Sequence, residues 1–214
     1  MIKRLLLITM LFVTACSNNN NNTDPDPDPR LTSSEGLLIA ELGFDKEVFK
    51  ILKQATNNEI HQFTGYDENN KPNKAEGIVS PTEHGVETLK ILRKKLKGKD
   101  YIVFLESSQS IGIIKGRDQT KIIQIMGTEG PNYDVLNEDI IKFFKDWERK
   151  YNFNILYADD SAVNIELNEL PTDFVLFANE IYKICPDTVD SGSGSIEGLI
   201  EEIKMTNGVA FWWD

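Results

Sequence analysis

The chain has 214 residues, of which 40% are hydrophobic and 27% charged, with a formal net charge of −11 and a pI near 4.7. That is enough apolar sequence for one packed domain, or two small ones closely packed. Only two histidines occur, His61 and His84, both before the C-terminal half. That weakens every scheme needing a histidine base or a zinc cluster, and no phosphate loop or dinucleotide fingerprint is present.

Lys3 and Arg4 precede an apolar run from Leu5 to Val13. The run is too short for a spanning helix, which needs about 20 residues, and fits a secretory core of about 7–15. Val13-Thr14-Ala15-Cys16 follows and resembles the lipobox of bacterial lipoproteins. The resemblance implies cleavage after a signal peptide at 1–15. It also implies a diacylglyceryl thioether on Cys16 and an acylated amino group, enough chains for stable anchoring. A plain signal peptide with an incidental Cys is the alternative. Ser17 leans toward the outer membrane by analogy with sorting rules; whether the domain faces the periplasm or the outside stays open. Residues 17–30, SNNNNNTDPDPDPR, hold nothing apolar to bury. A disordered Asn/Asp-Pro tether is expected over 16–33.

Asp45 can cap a helix carrying Val48, Phe49, Leu52 and Ala55. Residues 66–77 read as a polar loop. Ser80-Pro81-Thr82-Glu83 has the form of a capping box opening a helix through Val86, Leu89, Leu92 and Leu96, with Gly98 as its stop and His84 in its first turn. Tyr101–Leu105 predicts a strand buried on both faces, and Ile111–Ile114 a second strand after a turn at Ser107–Ser110. Ile122, Ile125 and Met126 lean residues 118–126 to helix. Asn137 is expected to cap a helix with Ile140, Phe143, Phe144, Trp147 and Tyr151 on one face. Residues 153–158 and 161–167 form an expected hairpin around Asp159-Asp160. Pro171 and Thr172 open a helix with Phe174, Phe177, Ala178, Ile181 and Cys185 in its stripe, and Pro186 prevents its continuation. A last helix holds Ile196, Leu199, Ile200 and Ile203, stopped at Asn207-Gly208. Val209–Trp213 then reads as a strand. Helices and hairpins without strict alternation predict an α+β fold, a mixed sheet covered by helices. The expected organisation is an N-terminal segment, 34–100, and a C-terminal domain, 101–214.

Charge is divided unevenly. Residues 31–116 carry 12 basic and 12 acidic side chains; residues 117–214 carry 8 basic and 19 acidic. The C-terminal half should repel nucleic acid and suit a cation or a basic protein partner; a solvated, solubilising face is the plainer reading. With Cys16 consumed by lipid, Cys185 stands alone, and its place in an apolar stripe predicts a buried, inert thiol.

Gly127-Thr128, Asn132-Tyr133-Asp134, Cys185-Pro186-Asp187-x-Val189 and Trp212-Trp213-Asp214, with Trp147, Pro171 and Tyr182 between them, resemble the domain-of-unknown-function family 4253. The resemblance covers roughly residues 100–214. The family continues its CPD-x-V motif with an acidic or polar residue, Gln and Gly. This chain has Asp190-Ser191-Gly192, so a role resting on that Gln is not carried over. The resemblance implies a fold and no activity.

Asp187 and Asp190 flank a bend leading into Ser191–Ser195. Carboxylates beside free carbonyls suit a hard divalent cation, and Asp159, Asp160 and Glu166 can join such a cluster. The same residues equally make Asx turns, with Ser193 or Ser195 capping the last helix; an anion held by the Gly/Ser loop is a third reading. Trp212 and Trp213 point to opposite faces of a strand; with Asn132 and Tyr133 they are the candidate binding residues, against a core role for both tryptophans. No cofactor is expected beyond that cation. The leading functional expectation is a lipid-anchored, non-enzymatic cell-envelope binding or interaction module with an acidic C-terminal half. The alternative is a metal-dependent envelope hydrolase using Asp187, Asp190, Asp159 or Asp160 as ligands and bound water as nucleophile.

Overall fold

The computed structural model describes residues 29–67, 69 and 71–213. The expected signal peptide, Cys16 and the tether up to residue 28 lie outside the described residues, as does Asp214. Among the described residues no helix is long and apolar enough to cross a membrane.

The elements in chain order are α1 (Ser33–Leu42), α2 (Lys46–Thr56), β1 (His61–Tyr66), β2 (Pro72–Pro81), α3 (Gly85–Lys95), β3 (Tyr101–Ser107), β4 (Ser110–Lys115), α4 (Lys121–Met126), a 3-10 turn (Pro131–Tyr133), α5 (Asn137–Glu148), β5 (Phe153–Ala158), β6 (Ala162–Leu167), α6 (Phe174–Ile184), a π-helical segment (Thr188–Ser193), α7 (Ile196–Thr206) and β7 (Gly208–Trp212). Seven strands make one sheet, ordered β1-β2-β4-β3-β5-β6-β7. All neighbours are antiparallel except β3 and β5. The fold is α+β, and β2 pairs with β4, so one sheet runs through both halves of the chain.

Four sequence expectations change. Residues 66–77 are not a loop throughout: Tyr66 ends β1 and residues 72–77 belong to β2, its hairpin partner, hidden in the sequence because the outer strand positions, Asn73, Lys74 and Glu76 among them, are polar and little buried. Ser80–Glu83 is not a helix cap. Ser80 is buried in β2, donating to Glu59 O and bonding Thr56 Oγ1, and α3 starts later without a side-chain cap. Asn137 opens α5 but caps nothing; its amide donates to Ile123 O and Thr128 O, at 3.0 and 2.9 Å, tying α5 to the end of α4. Helix α6 opens at Phe174 rather than at Pro171 and Thr172, with Asp173 as its cap, accepting from Leu176 N. Helix α1 was not expected at all, although Thr32-x-x-Glu35 is a complete capping box.

Two cores lie on opposite faces of the sheet. In β3 the alternation sends Val103 to one face and Ile102 and Phe104 to the other. Val103 joins Phe49, Leu52, Leu89 and Leu92 under α2 and α3. Phe104 joins Phe144, Trp147, Phe177, Ile203 and Phe211 under α5, α6 and α7. The first of these layers ends above β3 and β5. Beyond it, β6 buries Val163, Ile165 and Leu167 in the second core but turns Ala162, Asn164 and Glu166 to a face that no helix covers. This bare stretch of sheet positions the candidate site.

The parallel pair β3–β5 is joined in register only at Leu105 and Tyr157. Toward their N-terminal ends the strands part, and two long polar side chains enter the gap. Arg93 donates through Nε and Nη2 to Val103 O, both at 3.1 Å, and through Nη2 to Ile155 O at 2.7 Å. Gln119 accepts from Ile155 N at 2.6 Å and donates to Phe153 O at 3.2 Å. They supply bonds that a neighbouring strand would otherwise provide.

Candidate functional site

Four segments distant in sequence meet at the outer end of the sheet. Trp213 is buried, its backbone N donating to Ser161 O and its indole Nε1 to Ile184 O, each at 2.9 Å. The indole lies flat against Gly130, where an added Cβ would come within 2.5 Å of Trp213 Cδ1. Beside it, the Tyr133 hydroxyl donates to Asp187 Oδ1 at 2.6 Å. That bond, to a carboxylate that is itself almost fully buried, pushes the Tyr133 phenol up to about 12.

The segment 185–188 runs along the outer edge of β7. The β6–β7 ladder uses Asn207 O and Trp213 N, so the even residues of β7 turn their carbonyls outward. The Cys185 thiol donates to Trp212 O at 3.0 Å, and Thr188 Oγ1 lies 3.3 Å from Ala210 O. An exposed edge strand is thereby covered. Burial pushes the Cys185 thiol up despite its hydrogen bonds with Thr188 and Trp212, so it stays a thiol and a donor. Ser195 caps α7, accepting from Gly198 N at 3.0 Å.

The expected carboxylate residues fall in two places. Asp159 closes the β5–β6 hairpin, accepting from Ser161 N, Ala162 N and Tyr157 Oη at 2.9, 2.6 and 2.6 Å. Burial and that bond raise the Tyr157 phenol. Asp160 is exposed, and its backbone carbonyl accepts from Glu129 N. Asp187 belongs instead to Tyr133; Asp190 is exposed, 3.4 Å from Tyr182 Oη. Among the described residues, no three His, Cys, Asp or Glu side chains gather in a metal-holding group. His61 and His84 sit on β1 and before α3, away from these segments. Asn132 lies exposed in the 3-10 turn beside Tyr133.

Trp212 has the opposite orientation to Trp213. It is half-buried and lines a groove of about 580 Å³ that runs from the bare sheet face to α7, with Leu156, Asn164, Glu166, Gly192 and, on α7, Glu202 around it. Asn164 pairs with Ala210 and Glu166 with Gly208 across β6 and β7. The open side of Gly192 faces Trp212 Nε1, 3.8 Å from where a Cβ would stand. An indole face with carboxylates and an amide at its rim can hold a cationic side chain by cation–π contact and charge-assisted hydrogen bonds. The sequence pointed to Trp212 and Glu166 but not to Asn164. The signal was present in the polar positions of Val163-Asn164-Ile165-Glu166-Leu167, an alternation marking a strand with one open face.

The model of the family described as Domain of unknown function (DUF4253) matches residues 110–214, and the C-terminal half of the chain carries that domain. No curated protein and no solved structure matches the chain.

Proposed function

We propose that this domain is a non-enzymatic binding module held at the cell envelope by lipid on Cys16, and that the Trp212 groove receives a basic segment of a protein partner. The observation that carries the reading is the groove at the outer end of the sheet: a half-buried tryptophan lies on the bare face of β7 with Glu166 beside it and Glu202 of α7 at the rim. Exposed clefts that combine an aromatic anchor with polar groups are the usual form of a recognition site. The excess of acidic over basic residues in 117–214 adds long-range attraction for a basic partner and repulsion for nucleic acid.

Extended Lys/Arg-rich peptides should bind more tightly than Asp/Glu-rich ones of equal length, and high salt should weaken them. Trp212→Ala and the Glu166→Gln/Glu202→Gln pair should each lower affinity about tenfold, the effect of losing one cation–π or charge-assisted contact. Equal affinity for basic and acidic peptides would remove the reading. The anchor has its own test: Cys16→Ser should abolish lipid labelling and release the protein from the membrane fraction, whereas unchanged fractionation would contradict lipidation.

A further inference from the structure

We propose that the cleft between the parting N-terminal ends of β3 and β5 is a phosphate-binding site. The cleft holds about 630 Å³ and shares no lining residue with the Trp212 groove, so the inference does not rest on the partner-binding reading. Its walls carry Arg93, Lys97, Lys99 and Arg117, four cations in a chain with a net charge of −11.

Arg93 is the cation that the fold holds in the cleft. Its Nε and Nη2 are committed to the Val103 and Ile155 carbonyls, while Nη1 makes no hydrogen bond among the described residues. Arg93 also forms no ion pair among the described residues; Glu166 is the carboxylate whose field reaches it. Burial works against the charge of this guanidinium, and a half-buried cation that lacks a carboxylate partner is favoured by an anion from solution. The free Nη1 can donate to a phosphate oxygen while the carbonyls hold the rest of the guanidinium in place, with the lysines as additional point charges.

Two of the acidic groups nearby are already engaged, while Glu166, opposite Asn154 across β5 and β6, works against an anion. Glu148 accepts from Gln119 Nε2 at 2.7 Å, and Asp100 pairs with Arg117 on an exposed rim where such a pair is weak and easily exchanged. Gly98, at φ +82°, lets the chain turn sharply between Lys97 and Lys99 so that both flank the opening. Asn154 adds a neutral amide to the wall. The volume exceeds that of a single phosphate, so the ligand class is a phosphorylated small molecule or the phosphodiester of a lipid headgroup.

The test is calorimetric titration of the full-length protein with inorganic pyrophosphate and, separately, with dihexanoyl phosphatidylglycerol kept below its micelle concentration. Saturable pyrophosphate binding is expected. It should weaken at least about tenfold in Lys97→Gln/Lys99→Gln, whose exposed side chains can change without disturbing the core. Arg93→Lys keeps the charge but loses the free Nη1 donor and should weaken binding comparably. Binding of the short-chain lipid alone, lost in the lysine variant, would support the site with a headgroup as its source. Binding of neither probe, or binding unchanged in the lysine variant, would overturn the proposal.

Discussion

Replacing Glu35 by Ala is expected to cost about 3–5 kcal/mol, the range for removing one partner of a buried ion pair. Its carboxylate is 1% exposed and accepts three bonds: from Lys53 Nζ at 2.7 Å, from Thr32 N at 2.7 Å and from Ile60 N at 3.0 Å. One side chain therefore closes the capping box of α1, pairs with α2 and fixes the entry to β1. Burial alone would raise its pKa, but the bonds from Lys53, Thr32 and Ile60 outweigh it and hold the acid below its ordinary value of 4.5. A depressed folded-state pKa gives stability that is present above the unfolded value and lost as pH falls through the folded one. Urea unfolding should show the full gap between the natural protein and Glu35→Ala at neutral pH, shrinking in acid below 4.5. A gap that stays constant with pH would show that the carboxylate charge contributes nothing.

Trp147→Ala should be equally damaging, about 3–5 kcal/mol by analogy with other buried aromatic truncations, or a fall of roughly 6–20 °C in melting temperature for a domain of this size. The indole is 1% exposed, stacks on Phe177 at 4.6 Å and meets Phe143, Phe144, Phe153 and Phe211. Its Nε1 donates to Glu180 at 3.0 Å, alongside Lys150 and Tyr151. Burial first, and then the Glu180 bond, push the Tyr151 phenol up to about 12. Trp147→Phe retains most of the ring contacts and loses one hydrogen bond to a charged group, so it should cost about 1.5–3 kcal/mol. If the two variants melted together, the aromatic packing would carry no share of the effect.

These two residues differ in how visible they were. Trp147 stands in a stripe with Ile140, Phe143, Phe144 and Tyr151, and helical spacing of large apolar residues is the strongest signal a sequence offers. Glu35 sits among Thr, Ser and Gly just after the expected tether at 16–33, and its capping box straddles that boundary, where no apolar stripe marks a helix. Strand β1, His61-Gln-Phe-Thr-Gly-Tyr66, went unseen because only Phe63 and Gly65 are buried. At the C-terminal end the motifs were visible as residues but not as contacts. Nothing in the spacing of Gly130, Ile184 and Trp213 shows that an indole lies on a glycine and bonds a carbonyl 29 residues away. The carboxylates were legible as acids; their division between the hairpin turn at Asp159 and the Tyr133–Asp187 pair depends on tertiary folding. Arg93 reads in sequence as one more base at the end of α3, and only the parting of β3 and β5 gives it two carbonyls to bridge.

The groove is the part of the account on which the functional conclusion depends, and it can be observed residue by residue. The measurement is a titration of the protein with an extended Lys/Arg-rich peptide, followed through the Trp212 indole N–H and the Asn164 side-chain amide resonances. Both should shift saturably while the buried Trp147 and Trp213 indoles stay in place. A peptide that binds without moving Trp212 or Asn164 would contradict it.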